Sequence, residues 1–233
     1  MKKLLSIDTN AKTIKGQLKG YLTGILYLAP SNESGVVNTC GYASQGCSAA
    51  CLFTAGRGAF QNVRKARVEK TMLFHSAKAE FMDQLVDDVK ALKKKAEKLG
   101  FNPCVRLNGT SDISWETIPV GKASNIFELF PDVPFYDYTK NIKKVLKLKE
   151  NPLTNYSLTF SRSESNASHA ELALSLGVNV AMVFKDLEKV DFAFNRPVIN
   201  GDESDLRFLD PKGVIVGLKA KGKAKHDNSG FVL

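Results

Sequence analysis

The second half of the chain repeats one pattern: a short apolar or β-branched run, a polar loop, then a stretch with helical spacing. CVRLNG (104–109) leads into TSDISWE, PFYDYT (134–139) into the basic NIKKVLKLKE, and YSLTFS (156–161) into RSESN and ASHAELALSLG. VNVAMVF (178–184) is a fourth such run, PVING and GVIVGLKAKG add two more, and YLTGILYLAP (21–30), stopped by Pro30, comes first. Strands that alternate with helices are joined by right-handed crossovers and pair in parallel. Runs as continuously apolar as VNVAMVF are buried on both faces. About seven strands of this kind predict an α/β fold, a TIM-barrel-like parallel β/α barrel, closed or partly open. No linker, low-complexity run or break in composition divides residues 1–233, so the expectation is a single domain.

Between the first and second strands, residues 61–99 carry apolar side chains in steps of three and four, among them Phe74, Phe81, Leu85, Val89, Leu92 and Ala96. That spacing predicts one long helix, or two broken near His75 and Ser76, closed by Gly100 as a C-cap. With 43% apolar residues in 233, the chain can bury a substantial core. The opening MKKLLSIDTNAK has only a short apolar run, which reads as neither a secretory signal nor a membrane span and predicts a soluble intracellular protein with no membrane partner. A net charge of +9 favours anionic partners, nucleic acid or a small anionic molecule. The lysines are spread over helix faces (Lys93, Lys94, Lys95; Lys143, Lys144, Lys147, Lys149) and the stretch KAKGKAKH, with no aromatic interleaving, so most read as solvated.

Chemistry concentrates in residues 38–58, directly after the first strand, where three of the four cysteines fall within twelve positions as C-x6-C-x3-C. Small residues fill the gaps: Gly41, Ala43, Ser44, Gly46, Ser48, Ala49 and Ala50. A helix starting near Cys47 would put Cys47 and Cys51 on one face, and the glycine-containing arc can return Cys40 beside them. A disulfide is disfavoured in a reducing compartment, and a loop without large apolar neighbours is not core. Three converging thiolates suit an iron–sulfur cubane with one iron unprotected, or, second, zinc with an open coordination position, because structural zinc takes four protein ligands. A site without metal is the third option. Cys104 opens the second strand and reads as core, as does Trp115; His75, His169 and His226 show no ligand spacing.

In a barrel, polar residues at the carboxyl ends of strands share one cleft. Here they are Asn108, Ser111 and Asp112 after the second strand, Asp137, Tyr138 and Lys140 on the third, Arg162, Glu164 and Asn166 after the fourth, and Lys185 after the fifth. Asp202, Asp205 and Arg207 follow the sixth, and Lys219 and Lys221 the last. Arg57, Arg162, Lys185, Lys219 and Lys221 are candidates to draw in an anion; Asp112, Asp202 and Asp205 are candidates to position it. Singly, each is as well explained as a helix cap or surface ion pair. Their recurrence at equivalent strand ends is what marks the set.

The blocks YLTGILYLAPSNESGVVNTCGYASQGCSAACLFTAGRG, VRKARVEKT, VRLNGTSDISWE and INGDESDLRFLDPKGVIVGLKAKGKAKHDNSGFV resemble a family of bacteriophage proteins labelled gene product eighty-eight, over nearly the whole chain. The resemblance implies a phage origin, the cytoplasm of an infected bacterium, and a [4Fe–4S] cluster on Cys40, Cys47 and Cys51. A looser likeness is to the radical S-adenosylmethionine enzymes, which also place three cysteines after the first strand of a partial barrel; it implies redox or radical chemistry with adenosylmethionine on the open iron. Their C-x3-C-x2-C spacing differs from the one here, and no Gly-Gly-Glu-like stretch follows the second strand.

Overall fold

A computed structural model describes residues 3–7, 11–51, 53 and 56–233, and in it the alternating pattern becomes one nine-stranded sheet. The strands are β1 (Leu5–Ile7), β2 (Tyr21–Leu26), β3 (Asn102–Arg106), β4 (Phe135–Thr139), β5 (Tyr156–Ser161), β6 (Val180–Phe184), β7 (Phe192–Ala193), β8 (Arg196–Asn200) and β9 (Ile215–Lys219). They lie in the order β1-β2-β3-β4-β5-β6-β9-β8-β7. The seven strands expected from sequence all pair in parallel. The outermost two, β1 and β7, pair antiparallel to their neighbours. Both went unread in the sequence because three and two residues are too few to show a period.

The helices are α1 (Ala11–Gln17), α2 (Gln45–Ala49), α3 (Gln61–Ser76), α4 (Lys78–Leu99), α5 (Ile126–Leu129), α6 (Ile142–Glu150) and α7 (Ala167–Ser175). The long helical stretch is indeed two helices, broken at Ala77 (φ −138°, ψ 60°), and α4 ends on left-handed Gly100 (φ 72°). Each apolar stripe has its partner. Leu85, Val89, Leu92 and Ala96 of α4 pack with Leu22, Leu26, Val105 and Phe135 of the sheet and with Trp115 and Phe127. Trp115, fully buried, lies against Phe74 and Phe81 at 5.3 and 6.2 Å between ring centres. Ala170, Ala173 and Leu174 of α7 pack on Phe160, Val180, Met182 and Ile215. Each large side chain so buried contributes about 1.5–3 kcal/mol. A third cluster, Cys104, Tyr136 and Leu206 with Tyr21 and Phe208, gathers the Arg207–Leu209 3₁₀ turn against β3 and β4.

The sheet does not close, which corrects the closed form of the expected barrel. Closure requires the last parallel strand to pair with the first. After β6 the chain instead forms the β7–β8 hairpin, and β9 returns between β6 and β8. The final strand is therefore internal. At the other edge β1 covers β2, and the very short β1 and β7 leave little unpaired backbone exposed.

Candidate functional site

A cavity of about 340 Å³ opens at the carboxyl ends of the parallel strands, where a sheet of this kind presents its loops. Cys40, Cys47 and Cys51 line it together with residues from β3, β4, β5, β6 and β9. The cysteine loop is pinned at both ends of its arc. Thr39 donates its hydroxyl to the Ala29 carbonyl (2.6 Å) and accepts the Asp112 amide on its own carbonyl (2.8 Å), fixing the base of Cys40. Ser44 caps α2 by accepting the Cys47 amide (3.1 Å). Glu164, arriving after β5, accepts the Gly46 amide (2.7 Å) and the Ser44 hydroxyl (2.8 Å). Burial alone would raise the pKa of Glu164, but those donors hold it below the usual carboxylate range. Gly46 is required by close approach: a Cβ there would meet Ser229 Oγ at 2.2 Å, Glu164 Oε2 at 2.8 Å and Phe231 Cβ at 2.9 Å.

The helix α2 ends at Ala49, so Cys51 lies beyond it and does not share a helical face with Cys47 as the spacing suggested. The three thiols are brought to one cleft by the fold of the whole loop. Burial pushes the Cys40 thiol up, opposed by hydrogen bonding from Ser31 and Thr39 and reinforced by Cys51 and Cys47. Burial also raises Cys51, with Cys47 adding to the rise and Arg67 and Lys140 opposing it. No disulfide joins them. Cys104 is fully buried beside Thr23 (3.3 Å), its thiol pushed up to about 12 by burial, as expected of core.

Of the other residues named from sequence, Asn108, Ser111, Asp112, Tyr138, Lys140, Asp202, Asp205, Lys219 and Lys221 line the cavity. Their work there is largely internal. Asn108 accepts from the Ser111 hydroxyl (2.9 Å), the Ile113 amide (2.9 Å) and the Trp115 indole (3.1 Å), which shapes the loop after β3. Asp112 accepts from Thr139 and the Lys140 amide (3.0 and 2.9 Å) and lies 3.8 Å from the buried Lys144 ammonium. Asp202 accepts the Lys219 amide (3.0 Å) and pairs with Lys221, while its carbonyl accepts from Lys15. Lys219 itself pairs with Glu188 (2.7 Å).

Seven expected residues are not part of the cavity lining: Arg57, Asp137, Arg162, Glu164, Asn166, Lys185 and Arg207. Arg57 is exposed on the Gly56–Ala59 turn. Arg162 donates to the Gly230 and Phe231 carbonyls (2.6 and 3.2 Å) and so holds the final segment. Asn166 ties its own loop, accepting the Ser163 amide (2.6 Å) and donating to the Ser161 carbonyl (3.1 Å). Lys185 is exposed, its amide bonded to the Leu233 carbonyl (2.8 Å).

The site also includes Arg106 and Lys15, which the sequence reading did not name. Arg106 is the last residue of β3, paired with Asp205 (Nη1 to Oδ2, 2.9 Å) and over the Tyr138 ring at 4.5 Å. The signal was present in CVRLNG, since a charge within an apolar strand needs a buried partner. Among the described residues no group of three or more His, Cys, Asp or Glu side chains is arranged to hold a metal ion.

Fold and site together define an open, mostly parallel α/β protein whose carboxyl-end cleft combines a cysteine trio with basic side chains. The family profile described as Gene product 88 matches residues 3–233, and the chain belongs to that family of phage proteins. No curated protein and no solved structure matches it, and nothing found supports the looser likeness to the radical S-adenosylmethionine enzymes. No helix among the described residues is long and apolar enough to cross a membrane.

Proposed function

We propose that the chain is an iron–sulfur protein in which Cys40, Cys47 and Cys51 hold a [4Fe–4S] cluster on one wall of the cleft, and the floor takes a small anionic molecule. The observation that carries this reading is that all three thiols line one cavity, where Cys40 feels Cys51 and Cys47 and Cys51 feels Cys47. The donor set suits the group. It is all thiol, the donor class that holds such clusters.

When bound, such a cluster supplies an electron or, at the iron without a cysteine, a Lewis-acid site. The chain's own groups prepare the ligands. Burial disfavours the thiolates of Cys40 and Cys51, so they ionise to meet a positive centre, and Arg67 and Lys140 favour the charged form of Cys51. Basic side chains around the floor attract the anion, and the Asn108 hub keeps the loop that carries Ser111 and Asp112 in place.

Anaerobic purification is expected to give a brown protein containing iron and acid-labile sulfide in equal amounts, and Cys→Ala at any of the three positions is expected to lose most of both. Zinc without sulfide, or iron content indifferent to all three changes, would overturn the reading. Adenosylmethionine as the anion-bearing ligand is the narrower version; its addition should then change the cluster's electron paramagnetic resonance spectrum.

A further inference from the structure

The cleft is lined by an arginine that is held in place and whose Nε has no hydrogen-bond partner. Arg106 lines the cavity from β3, and its side chain is 8% exposed. Its Nη1 alone serves Asp205, at 2.9 and 3.2 Å to the two carboxylate oxygens. Its Nε is buried with no hydrogen-bond partner. Everything around it fixes the plane: the Tyr138 ring lies beneath at 4.5 Å, and Asp205 is itself held by the Tyr136 hydroxyl at 3.3 Å. An Nε–Nη2 edge presents two parallel N–H groups, the geometry that receives two oxygens of a carboxylate or phosphate. A buried guanidinium nitrogen without a partner is costly, and its cost is recovered when an anion fills it.

Charge in the cavity points the same way. Arg106 is balanced by Asp205, Lys221 by Asp202 and Lys219 by Glu188. Lys140 and Lys15 have neutral partners, the Ser161 hydroxyl (2.7 Å) and the Asp202 carbonyl. Two cations of the lining thus await negative charge, and Lys140 also acts electrostatically on Cys51, which puts this part of the floor next to the cysteine wall.

We infer that Arg106, with Lys140 in the same cavity lining, forms an oxyanion subsite that receives the carboxylate or phosphate group of a small molecule and directs the rest of that molecule toward the cysteine trio. This rests on the reading that the cleft takes a small anion, and names the group that recognises it. The volume, about 340 Å³, is that of a small-molecule site. Carboxylate and phosphate share the recognising chemistry, and the test separates them.

Sodium malonate and sodium phosphate are titrated separately into the full chain, with sodium chloride at matched ionic strength as control. Two signals are followed: the Arg106 Nε–H resonance and the thermal midpoint. One anion is expected to move the resonance and raise the midpoint where chloride does neither; a stronger malonate response assigns a carboxylate ligand, a stronger phosphate response a phosphoryl one. Arg106→Lys keeps the charge opposite Asp205 but loses the two-pronged edge, and is expected to weaken binding at least about tenfold, or about 1.4 kcal/mol. Lys140→Gln, away from the buried pair, is expected to weaken binding while leaving the fold unchanged, so it tests the subsite even if Arg106→Lys does not fold. No shift of the Arg106 resonance with either anion, or an equal response from chloride or from both variants, would overturn the subsite. Iron and sulfide are measured on the same samples. Anion binding without a cluster would sink the cluster reading alone, and a cluster beside a silent Arg106 would sink the subsite alone.

Discussion

Asp137 shows how far a single side chain here departs from its solution behaviour. It lies on β4, fully buried, accepting the Asn108 amide (2.6 Å) and the Tyr156 hydroxyl (3.3 Å). Burial pushes its pKa from 3.8 to about 7; Lys144, the Asn108 amide and Arg106 oppose the rise, and Asp112 adds to it. Between those two pH values the folded chain holds a proton that the unfolded chain has lost. Its stabilising effect is therefore full below pH 3.8 and is lost as the pH rises toward 7, by at most about 1.4 kcal/mol per pH unit. Urea midpoints measured across that window should fall with rising pH in the parent chain and fall less in Asp137→Asn. Identical slopes would mean that Asp137 is ionised throughout. The sequence marked Asp137, Asn108 and Asp112 as cleft residues by position. It gave no means of telling that Asn108 and Asp112 spend their hydrogen bonds on the loop, because partners far apart in the chain are invisible until the strands align.

At the level of elements, the cysteine loop depends on three separate parts of the chain. Thr39 bonds back to the end of the first long strand, Glu164 reaches in after β5, and the segment around Ser229 and Phe231 closes over Gly46. Gly46→Ala puts a methyl within 2.2 Å of Ser229 Oγ, so that segment or Glu164 must shift. Overpacking of this kind costs about 1–3 kcal/mol. The expected result is a lowered thermal midpoint together with reduced iron occupancy after reconstitution; a stable variant with full iron would show that the strap does not position the trio. Glu164→Ala removes a cap and is expected to cost about 1 kcal/mol and to speed amide exchange at Gly46 and Cys47. The small-residue composition of 38–58 made a wrapping loop legible. Which elements clamp it was not, since Glu164 is 118 positions from the Gly46 amide it accepts.

For the whole molecule, the main apolar clusters lie on strand and helix faces and are built from Leu, Val, Phe and Trp side chains, none of them from the cysteine loop. A smaller cluster, Ala50, Ala220, Ala224, Phe231 and Val232 with Cys47 packed on it, joins the loop to the body. Removing a bound cluster with chelator is therefore expected to leave the far-ultraviolet circular dichroism unchanged and to lower the thermal midpoint by only a few degrees, about what 1 kcal/mol does in a chain of this size. Global unfolding on chelation would place the metal at the centre of folding, as in small zinc domains.

Local pattern was enough to determine the seven parallel strands, the paired helices closed by Gly100, the buried Trp115 and Cys104, and the concentration of thiols after the first long strand. Each of these follows from periodicity, capping or composition within a few residues. Three things were decided only by the tertiary structure: the sheet stays open because β9 inserts between β6 and β8, Cys51 reaches the cleft from outside the helix of Cys47, and Arg106 rather than Arg57, Arg162 or Lys185 faces the cavity. The physical reason is common to all three. Strand pairing order and side-chain direction at a turn are set by contacts between segments distant in sequence, and no local spacing encodes which of several chemically equivalent residues those contacts will turn inward.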